Sequence, residues 1–542
     1  MKYKDVVIAG AGPVGLTLAI VLGQLGVKVL LADKRPSLGK LPKMERCNAR
    51  TMENFRRLGL ADRIRAAGLD NDMPMDVFIC VESIARTPAL VCHEYPSVNE
   101  LKSSYRDVRD GTTAAEPYQL ISQYTLEPLL RDVAESIPGV DVRFESEIVD
   151  FEQDDDTVLT TIRSADGSEH VVTSSYLVGC DGGGSTVRQK LGFELEGESR
   201  LEMRQALFRS KNLLDRIPIG IGRHYHIADS TNSFMIVQDD KEHFSFHATV
   251  DSDEEMAPLF EKIVGFPFDY ETLYVGRWQQ RLMLADHYRS GRVFLAGDSA
   301  HLVIPTGGLG MNTGHADAVD LGWKLAAVIR GWGGQGLLDS YEPERRQIAE
   351  RNIAASRKAT VARNKWRRLW RPEIVDSTPE GERIRHDLKA VAEVEHRWSN
   401  DLYGIELGYV YSDSPITSYD PDLERGEDDL SFVYEPSIEP GARLPHVWLA
   451  DGRPIQDDLG WEFTLIATGG IDDAEAAGFV DAFARLGVPF RVYRPESEDA
   501  VAAYGTGLLL VRPDLHIVWR GASAPEDALA VARLVTGQRV AV

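Results

Sequence analysis

A chain of 542 residues is too long for one hydrophobic core, so two or three domains are expected. Hydrophobic content of 43% and charged content of 27% are those of an ordinary globular protein, and a formal net charge of -24 argues against non-specific binding to nucleic acid or anionic membranes. The four cysteines, Cys47, Cys80, Cys92 and Cys180, form no CxxC pair and no zinc-like spacing, so no metal site is expected and a reducing cytoplasm is the expected setting.

In chain order, the first predicted element is a buried strand, DVVIA, ending at Ala9. It breaks into Gly10-Ala-Gly12-Pro-Val-Gly15 and then a helix with apolar residues at Leu18, Val21, Leu22 and Leu25. The N-terminal run is therefore read as structure and not as a targeting sequence. A second strand, VKVLLADKR, follows and ends near Asp33. Strand, GxGxxG, helix, strand and acid at about 20 residues form the full dinucleotide fingerprint. Gly10 makes the turn, Gly12 lets the backbone meet a pyrophosphate, Gly15 lets helix and strand pack, and Asp33 accepts from ribose hydroxyls. The later Gly331-Trp-Gly333-Gly-Gln-Gly336 fits the same pattern but follows a helix, so it reads as a turn.

Next, LPKMERCNARTMENFRRLGL carries Arg46 and Arg50 into a helix, and YQLISQYTLEPLL carries Gln123. YLVGCDGGGSTVRQKLG then gives a strand, Asp181-Gly182 and a turn into Arg188. From about 75 to 110, and again from about 195 to 285, the pattern changes to alternation, as in GRHYHIAD, SFMIVQ and HFSFHATV. These are strands with one buried face. Tyr225, Gln238, His243 and His247 are pocket candidates there. Alternation places His224 and His226 on one face and Tyr225 on the other, so they cannot all line a pocket.

GRVFLAGDSAHLVIPTGGLGMNTGHADAVDLGWKLA joins a strand to a helix through a loop bare enough to lie against something flat or anionic. The helix is anchored by Ala318, Leu321, Leu325 and Val328. STPEGERIRHDLKAVAEVEHRWSN reads as an amphipathic helix with Ile384, Leu388, Val391 and Trp398 on its apolar side, packed on the core or forming an oligomer seam. An acidic stretch then reads as a linker. After it, PHVWLADGRPIQDDLGWEFTLIAT reads as alternating helix and strand, and YGTGLLLVRPDLHIVWRG and a short helix close the chain.

GxGxxG, RxxxRTxE, DGxxSxVR and GDSAH…P…GxGxNxG, in that order over roughly the first 350 residues, resemble the class A flavoprotein monooxygenases, which include para-hydroxybenzoate hydroxylase and phenol hydroxylase. The last hundred residues resemble the thioredoxin-like C-terminal domain of phenol hydroxylase and the aromatic polyketide hydroxylases. They hold no cysteine, so dithiol chemistry is excluded and the role is structural or in association. The resemblance implies an α/β fold: a Rossmann-type FAD-binding domain with an interleaved mixed β-sheet substrate domain, plus that C-terminal domain. Residues 1–75, 111–194 and 286–400 are then the FAD domain, 76–110 and 195–285 the substrate domain, 401–440 a linker and 441–542 the C-terminal domain.

It also implies FAD as cofactor, NAD(P)H and O2 as co-substrates, a small aromatic substrate, no nucleic-acid or membrane partner, a homodimer and a cytoplasmic location. Carried over by position, Arg46 approaches the adenosine–pyrophosphate side or the flavin mouth, and Gln123 contacts FAD. Asp181 and Gly182 handle both nucleotides, and Asp298 binds the ribityl chain. Pro305 and the Gly308–Asn312 backbone, with Gly310 and Met311, face the isoalloxazine ring. Pro13, Val14, Lys34 and Gly297 complete the expected FAD site. Arg46, Tyr225, His247 and Pro305 are the expected catalytic set. Arg50 and Arg188 can equally be capping or packing arginines.

The implied reaction is hydroxylation of a phenolic ring through a flavin C4a-hydroperoxide. It requires that water be excluded and that a base or positive environment favour the phenolate. Phenol hydroxylases place an Asp just before the RTxE helix; here Arg46-Cys-Asn48-Ala-Arg50 lacks it, which leaves the base open. The alternative is a polyketide-tailoring oxygenase of the same fold performing Baeyer–Villiger oxidation or epoxidation. A flavin halogenase lacks its WxWxIP-type segment here. A redox sensor or an NAD-dependent dehydrogenase leaves the GD and DG motifs without a task.

Overall fold

The computed structural model describes residues 3–39, 45–420 and 430–538. Residues 40–44, in the segment leading to Arg46, and 421–429 of the expected linker lie outside them. Tyr3–Ala9 runs parallel to Val29–Ala32 on one side and to Glu169–Gly179 on the other. Val140–Arg143 and Val293–Leu295 extend this sheet in parallel at either end. A parallel sheet needs both faces covered, which is why Val6, Val7 and Ile8 are fully buried and the strand reads as an unbroken apolar run. Helix Pro13–Gln24 covers one face and in turn packs under the long helix Leu309–Ile329. An antiparallel pair, Ser146–Gln153 and Val158–Ser164, attaches to the same sheet through Glu169–Gly179.

The second sheet is mixed and has eight strands. Its order is His301–Leu302, Glu271–Ala285, Leu195–Arg209, His243–Ala248, Phe234–Val237, His224–Ala228, Val77–Val81 and Val91–His93. The chain enters it three times from the first sheet, at Val77, Leu195 and His301, so the two sheets are interleaved in sequence. Its outer face buries Tyr225, Met235, Phe246 and Ala206 in a core of its own with Phe208 and Phe260.

The C-terminal region forms a four-stranded sheet ordered Phe490–Tyr493, Phe463–Thr468, Gly507–Val511 and Ile517–Gly521, with helices Asp473–Leu486, Glu498–Tyr504 and Ala528–Val535. Its core, with Phe463, Phe479 and Phe483, is continuous with Trp323 and Ala327 of the long helix. The stretch before Phe463 is loop and a single short 3-10 turn, Ile455–Asp458, and not the helix-and-strand alternation expected.

The second glycine motif is a turn: Gly331 has φ 80°, and Gly334 N donates to Thr536 O at 2.9 Å, docking the C-terminus. Helix Pro379–Glu395 packs Ile384 and Leu388 on Trp366 and on the strands at Val77–Val81 and Val91–His93, so this face belongs to the core. The described part of 401–440 is no tether. Helix Tyr403–Leu407 packs on helix Ala49–Arg57, because Leu407 and Tyr434 share a buried cluster with Ala49. Among the described residues, no helix is long and apolar enough to cross a membrane.

Candidate active site

Three glycine loops and the inner face of the second sheet close on a cavity of about 700 Å³. Gly10 starts the first loop at φ 100°, a value L side chains rarely adopt, and a Cβ there would lie 2.5 Å from Cys180 O. A Cβ on Gly15 would lie 2.0 Å from Gly10 O, so Gly15 serves packing and not the cavity. Gly12 differs: it caps helix Pro13–Gln24 in an extended conformation, and a Cβ there would meet nothing within 4 Å. The loop is bare on its cavity side. Asp33 braces it, accepting from Ala11 N at 2.7 Å, while Arg35 Nε and Nη2 bind the same carboxylate at 2.9 and 2.8 Å. Burial alone would raise this carboxyl, but Arg35 and the backbone donors outweigh it and hold it below the usual range. A ribose hydroxyl at Asp33 would therefore share oxygens that already accept, which a carboxylate can do. Pro13, Val14 and Lys34 line the same end.

The second loop carries Asp181 and Gly182, both on the cavity wall. Asp181 accepts from Thr186 N at 2.7 Å and Val187 N at 3.2 Å, so its first task is to cap helix Thr186–Leu191. Arg188 donates to Ser299 O and Gly183 O, both at 3.0 Å, tying this loop to the third; it is a packing arginine.

The third loop brings Asp298, Pro305, Gly308, Gly310 and Met311 to the wall. Gly308 has φ 65° and starts the long helix, and a Cβ there would again meet nothing within 4 Å. The helix N-terminus thus offers its free N–H groups at the cavity. Gly297 and Asn312 stand behind the wall. Asn312 Oδ1 accepts from Asn48 N at 3.0 Å and its Nδ2 donates to Arg46 O at 3.1 Å, which fastens the Arg46 segment to the glycine loop. Asp317 Oδ2 accepts from Gly297 N at 3.0 Å and pairs with His301 Nε2 at 2.8 Å, while Oδ1 accepts from Arg345 Nε at 2.8 Å. Burial raises this carboxyl, but Arg345 and His301 bring it down to about 2.

Arg46 lies on the two-residue strand Arg46–Cys47, paired with Gln119–Leu120, and its guanidinium pairs with Glu406 from the segment expected to be a linker. Gln123 opens helix Gln123–Ser136 on the opposite wall and donates to Glu127 Oε1 at 2.6 Å. Arg50 turns away: it bonds Asp514 O at 3.0 Å and packs helix Ala49–Arg57 on the C-terminal domain.

The strand register builds the sheet wall in rows. His226 pairs with Phe234, Phe234 with His247 and His247 with Gln205; one row along, His224 pairs with Ile236 and Ile236 with Ser245. All of these line the cavity, with Gln238, Trp278 and Gln280. Phe234 stacks on His247 at 4.6 Å between ring centroids, and Trp278 meets His247 edge-on at 5.8 Å. Burial brings the His247 imidazole down to about 3 and His226 well below its ordinary value, so both are neutral.

Two expected pocket residues are elsewhere. Tyr225 points into the outer core, stacked on Phe78 at 5.3 Å, donating to Gly220 O at 2.9 Å and accepting from Gly222 N at 2.8 Å. Alternation put it on the face opposite the histidines, and the histidine face is the inner one. His243, at the strand's start, binds Asp239 Oδ2 at 2.6 Å outside the cavity.

Several wall residues had no counterpart in the sequence reading. Glu45 accepts from Arg223 Nη2 at 2.9 Å, and His224 Nε2 sits 2.8 and 2.9 Å from its two oxygens. Arg363, from helix Tyr341–Arg367, donates to Thr306 Oγ1 at 2.6 Å and has no carboxylate partner among the described residues; burial brings its guanidinium down to about 10. Ser399 and Asn400 come from the turn after helix Pro379–Glu395. The one local signal was the Glu45-Arg46 dipeptide; Arg363 sits in a helix of many arginines and had none.

The cavity's chemistry fits a dinucleotide with a flat ring system. Gly12, Gly182 and Gly308 leave open the space a Cβ would fill, the N-termini of helices Pro13–Gln24 and Leu309–Ile329 meet it, and the buried Arg46 Nε, Gln238 Oε1, His247 Nδ1 and Arg363 Nε have no hydrogen-bond partner.

A family described as FAD binding domain matches residues 3–356, and one described as aromatic-ring hydroxylase, C-terminal, matches residues 437–537. The chain is 30% identical to the FAD-dependent monooxygenase apdD of Emericella nidulans, over 96% of this chain and 87% of that one. It is 32% identical to aklavinone 12-hydroxylase RdmE of Streptomyces purpurascens, over 97% of this chain and 96% of that one. Among solved structures, the rebeccamycin biosynthetic enzyme RebC with reduced flavin aligns with a TM-score of 0.88 at 32% identity, covering 99% of each chain.

Proposed function

Since the chain belongs to the FAD-dependent aromatic-ring hydroxylases, the class A flavin monooxygenases, we infer that its substrate is a polycyclic phenol held between the flavin loops and the inner face of the second sheet. The enzyme is a flavoprotein monooxygenase that hydroxylates an aromatic ring, with NAD(P)H and O2 as the co-substrates typical of the class. Baeyer–Villiger oxidation or epoxidation is not favoured, because the C-terminal family is that of aromatic-ring hydroxylases and the relatives include aklavinone 12-hydroxylases. One observation carries the substrate reading. The cavity runs unbroken from the Gly10–Gly15 loop to a wall of aromatic and neutral polar side chains: Phe234, His247, Trp278 and Gln238. The relatives named for aklavinone hydroxylation support a fused-ring substrate.

Bound FAD, reduced by NAD(P)H, would activate O2 so that one oxygen atom enters the ring and the other leaves as water. Gly12 and the N-terminus of helix Pro13–Gln24 would hold its pyrophosphate, and Asp33 its ribose. Asp298, Pro305 and the backbone from Gly308 lie where the ring end would sit, with helix-terminal N–H groups facing any negative charge that develops there. Arg46, latched by Glu406 and Asn312, would meet the cofactor from the cavity wall. Phe234, His247 and Trp278 keep the ring's surroundings apolar and dry. Arg363, a buried cation with no carboxylate partner among the described residues, makes the wall positive and so favours the phenolate over the phenol.

The test is NAD(P)H consumption by the holoenzyme against a phenol panel from monocyclic to tetracyclic, with product mass followed in parallel. A tricyclic or tetracyclic phenol that accelerates consumption and gains one oxygen atom supports the reading. A best substrate of one ring would overturn the fused-ring class, and peroxide as the only product throughout would overturn hydroxylation.

A further inference from the structure

The phenol needs somewhere to leave its proton, and the position before helix Ala49–Arg57 carries Asn48, whose side-chain oxygen is spent capping Thr51 N at 2.9 Å. The cavity supplies a carboxylate from three residues earlier. Glu45 and His224 keep 18% and 12% of their side-chain surface, and both line the cavity. Both Glu45 oxygens lie within 2.9 Å of His224 Nε2, and Arg223 Nε and Nη2 hold Oε1 from the other side at 3.2 and 2.9 Å. Burial would raise the Glu45 carboxyl, but Arg223 and His224 outweigh it and keep it ionised. Burial lowers the His224 imidazole with Glu45 opposing, so the ring is neutral. A neutral ring whose Nε2 faces a carboxylate carries its proton on Nε2. Its Nδ1 is then a lone pair, and it has no hydrogen bond among the described residues.

We propose that His224, oriented by Glu45, is the base that accepts the phenol proton. The phenol O–H bond breaks, an N–H bond forms at His224 Nδ1, the electron pair stays on the phenolate oxygen, and the resulting imidazolium is paired with Glu45. Glu45 does not touch the substrate; it is a positioning residue that fixes the tautomer and stabilises the imidazolium. The other charged or titratable groups around the ring are Arg223 just before its strand, His226 on it, Arg46 beside Glu45, His247 two strands away, Arg363 on helix Tyr341–Arg367, and His396. The cationic ones oppose an imidazolium and favour a phenolate, so the proton returns readily once the ring has reacted.

This inference rests on the hydroxylase reading, and the experiment separates the two. With the best phenol of the panel, kcat and KM of the holoenzyme are followed from pH 6 to pH 10 for wild type, His224→Gln and Glu45→Gln, each with its bound flavin and melting temperature recorded. His224→Gln is expected to lose roughly 100-fold or more in kcat at pH 7, the range of general-base catalysis, with KM little changed. It should recover as pH approaches the phenol's own pKa near 10, where hydroxide does the work. Glu45→Gln should lose less and move the rising limb of the profile, which a structural role alone would not do. A His224→Gln enzyme with wild-type kcat and an unmoved limb overturns the dyad while leaving the hydroxylase intact. A wild-type holoenzyme that hydroxylates no phenol overturns the hydroxylase reading and the dyad with it.

Discussion

Gly12→Ala separates cofactor binding from folding. The structure gives the new methyl group nothing within 4 Å, at φ -78°, so the fold has no reason to resist it. Apo-protein stability should stay within about 1 kcal/mol of wild type, the sum of a poorer helix cap and a stiffer unfolded chain. The methyl enters the cavity where a pyrophosphate would approach the backbone. Overpacking costs about 1–3 kcal/mol, which is roughly 5- to 150-fold in affinity. Gly10→Ala is the control with the opposite signature: φ 100° and Cys180 O at 2.5 Å make it a folding defect of roughly 2–4 kcal/mol. The assay is a thermal melt of flavin-stripped protein beside a titration with FAD followed by its fluorescence. A Gly12→Ala protein that melts like wild type and binds FAD within twofold of it would refute the placement of the cofactor on this loop.

Tyr225→Phe should leave kcat and KM unchanged and cost about 1–3 kcal/mol of stability, because Gly220 O and Gly222 N lose a buried partner; a tenfold fall in kcat with an unmoved melt would put Tyr225 back at the chemistry. Arg363→Met should raise stability by about 1 kcal/mol or more, since a buried cation without a carboxylate is costly, and weaken binding of the best phenol about tenfold; a melt and a dissociation constant that both stay put would mean the charge is neither costly nor used. Stability of the holoenzyme should fall as pH drops from 7 to 5. His226, His247, His315 and His396 are buried with folded values below the ordinary 6.5, about 3 for His247 and His315. The unfolded chain therefore takes up protons that the folded chain refuses, costing up to about 1.4 kcal/mol per pH unit for each group. Carboxylates held near 2, such as Glu53 and Asp317, keep their contribution down to about pH 4 and do not confuse this window. Melting temperatures that are flat or rising from pH 7 to pH 5 would contradict it.

The glycine loops were legible because each constraint on them is local. A strand, a turn at positive φ, a helix start and an acid at fixed offset are all written within forty residues, and the structure keeps them together at Gly10, Gly12 and Asp33. The sheet wall was half legible. Period two fixes that His224 and His226 oppose Tyr225, but which face looks inward depends on where the first sheet lies, and that is set by chain crossings hundreds of residues away. Glu45 was legible only through its place beside Arg46, and Glu406 and Arg363 were not legible at all. They reach the site from a loop, from a segment with linker composition and from a surface-like helix. What makes each functional is a partner across the fold: His224, Arg46 and Thr306 respectively.

The C-terminal domain has no cysteine with which to do redox chemistry, and the structure shows how it is docked. Arg512 inserts a buried guanidinium between Glu344 at 2.7 Å and Asp320 at 3.0 Å while its Nε holds Asp514 at 2.7 Å, and Lys324 bridges Asp320 and Glu344 at 2.9 and 2.6 Å. Arg443 closes a second buried pair on Glu53 of helix Ala49–Arg57. Against well-packed apolar residues such networks bring little net stability, because desolvation cancels most of the attraction, but losing one partner costs about 3–5 kcal/mol. They are therefore better at choosing one docking geometry than at deepening it. The helices they choose are the ones that matter: Asp320 and Lys324 lie on the helix whose N-terminus meets the cavity at Gly308, and Glu53 lies on the helix that follows Arg46. A domain docked by apolar contact alone could slide by a fraction of an ångström, and the two cavity loops would slide with it. Charges that must meet one to one, out of reach of water, do not permit that, and this gives a redox-silent domain a physical reason to be part of an oxygenase.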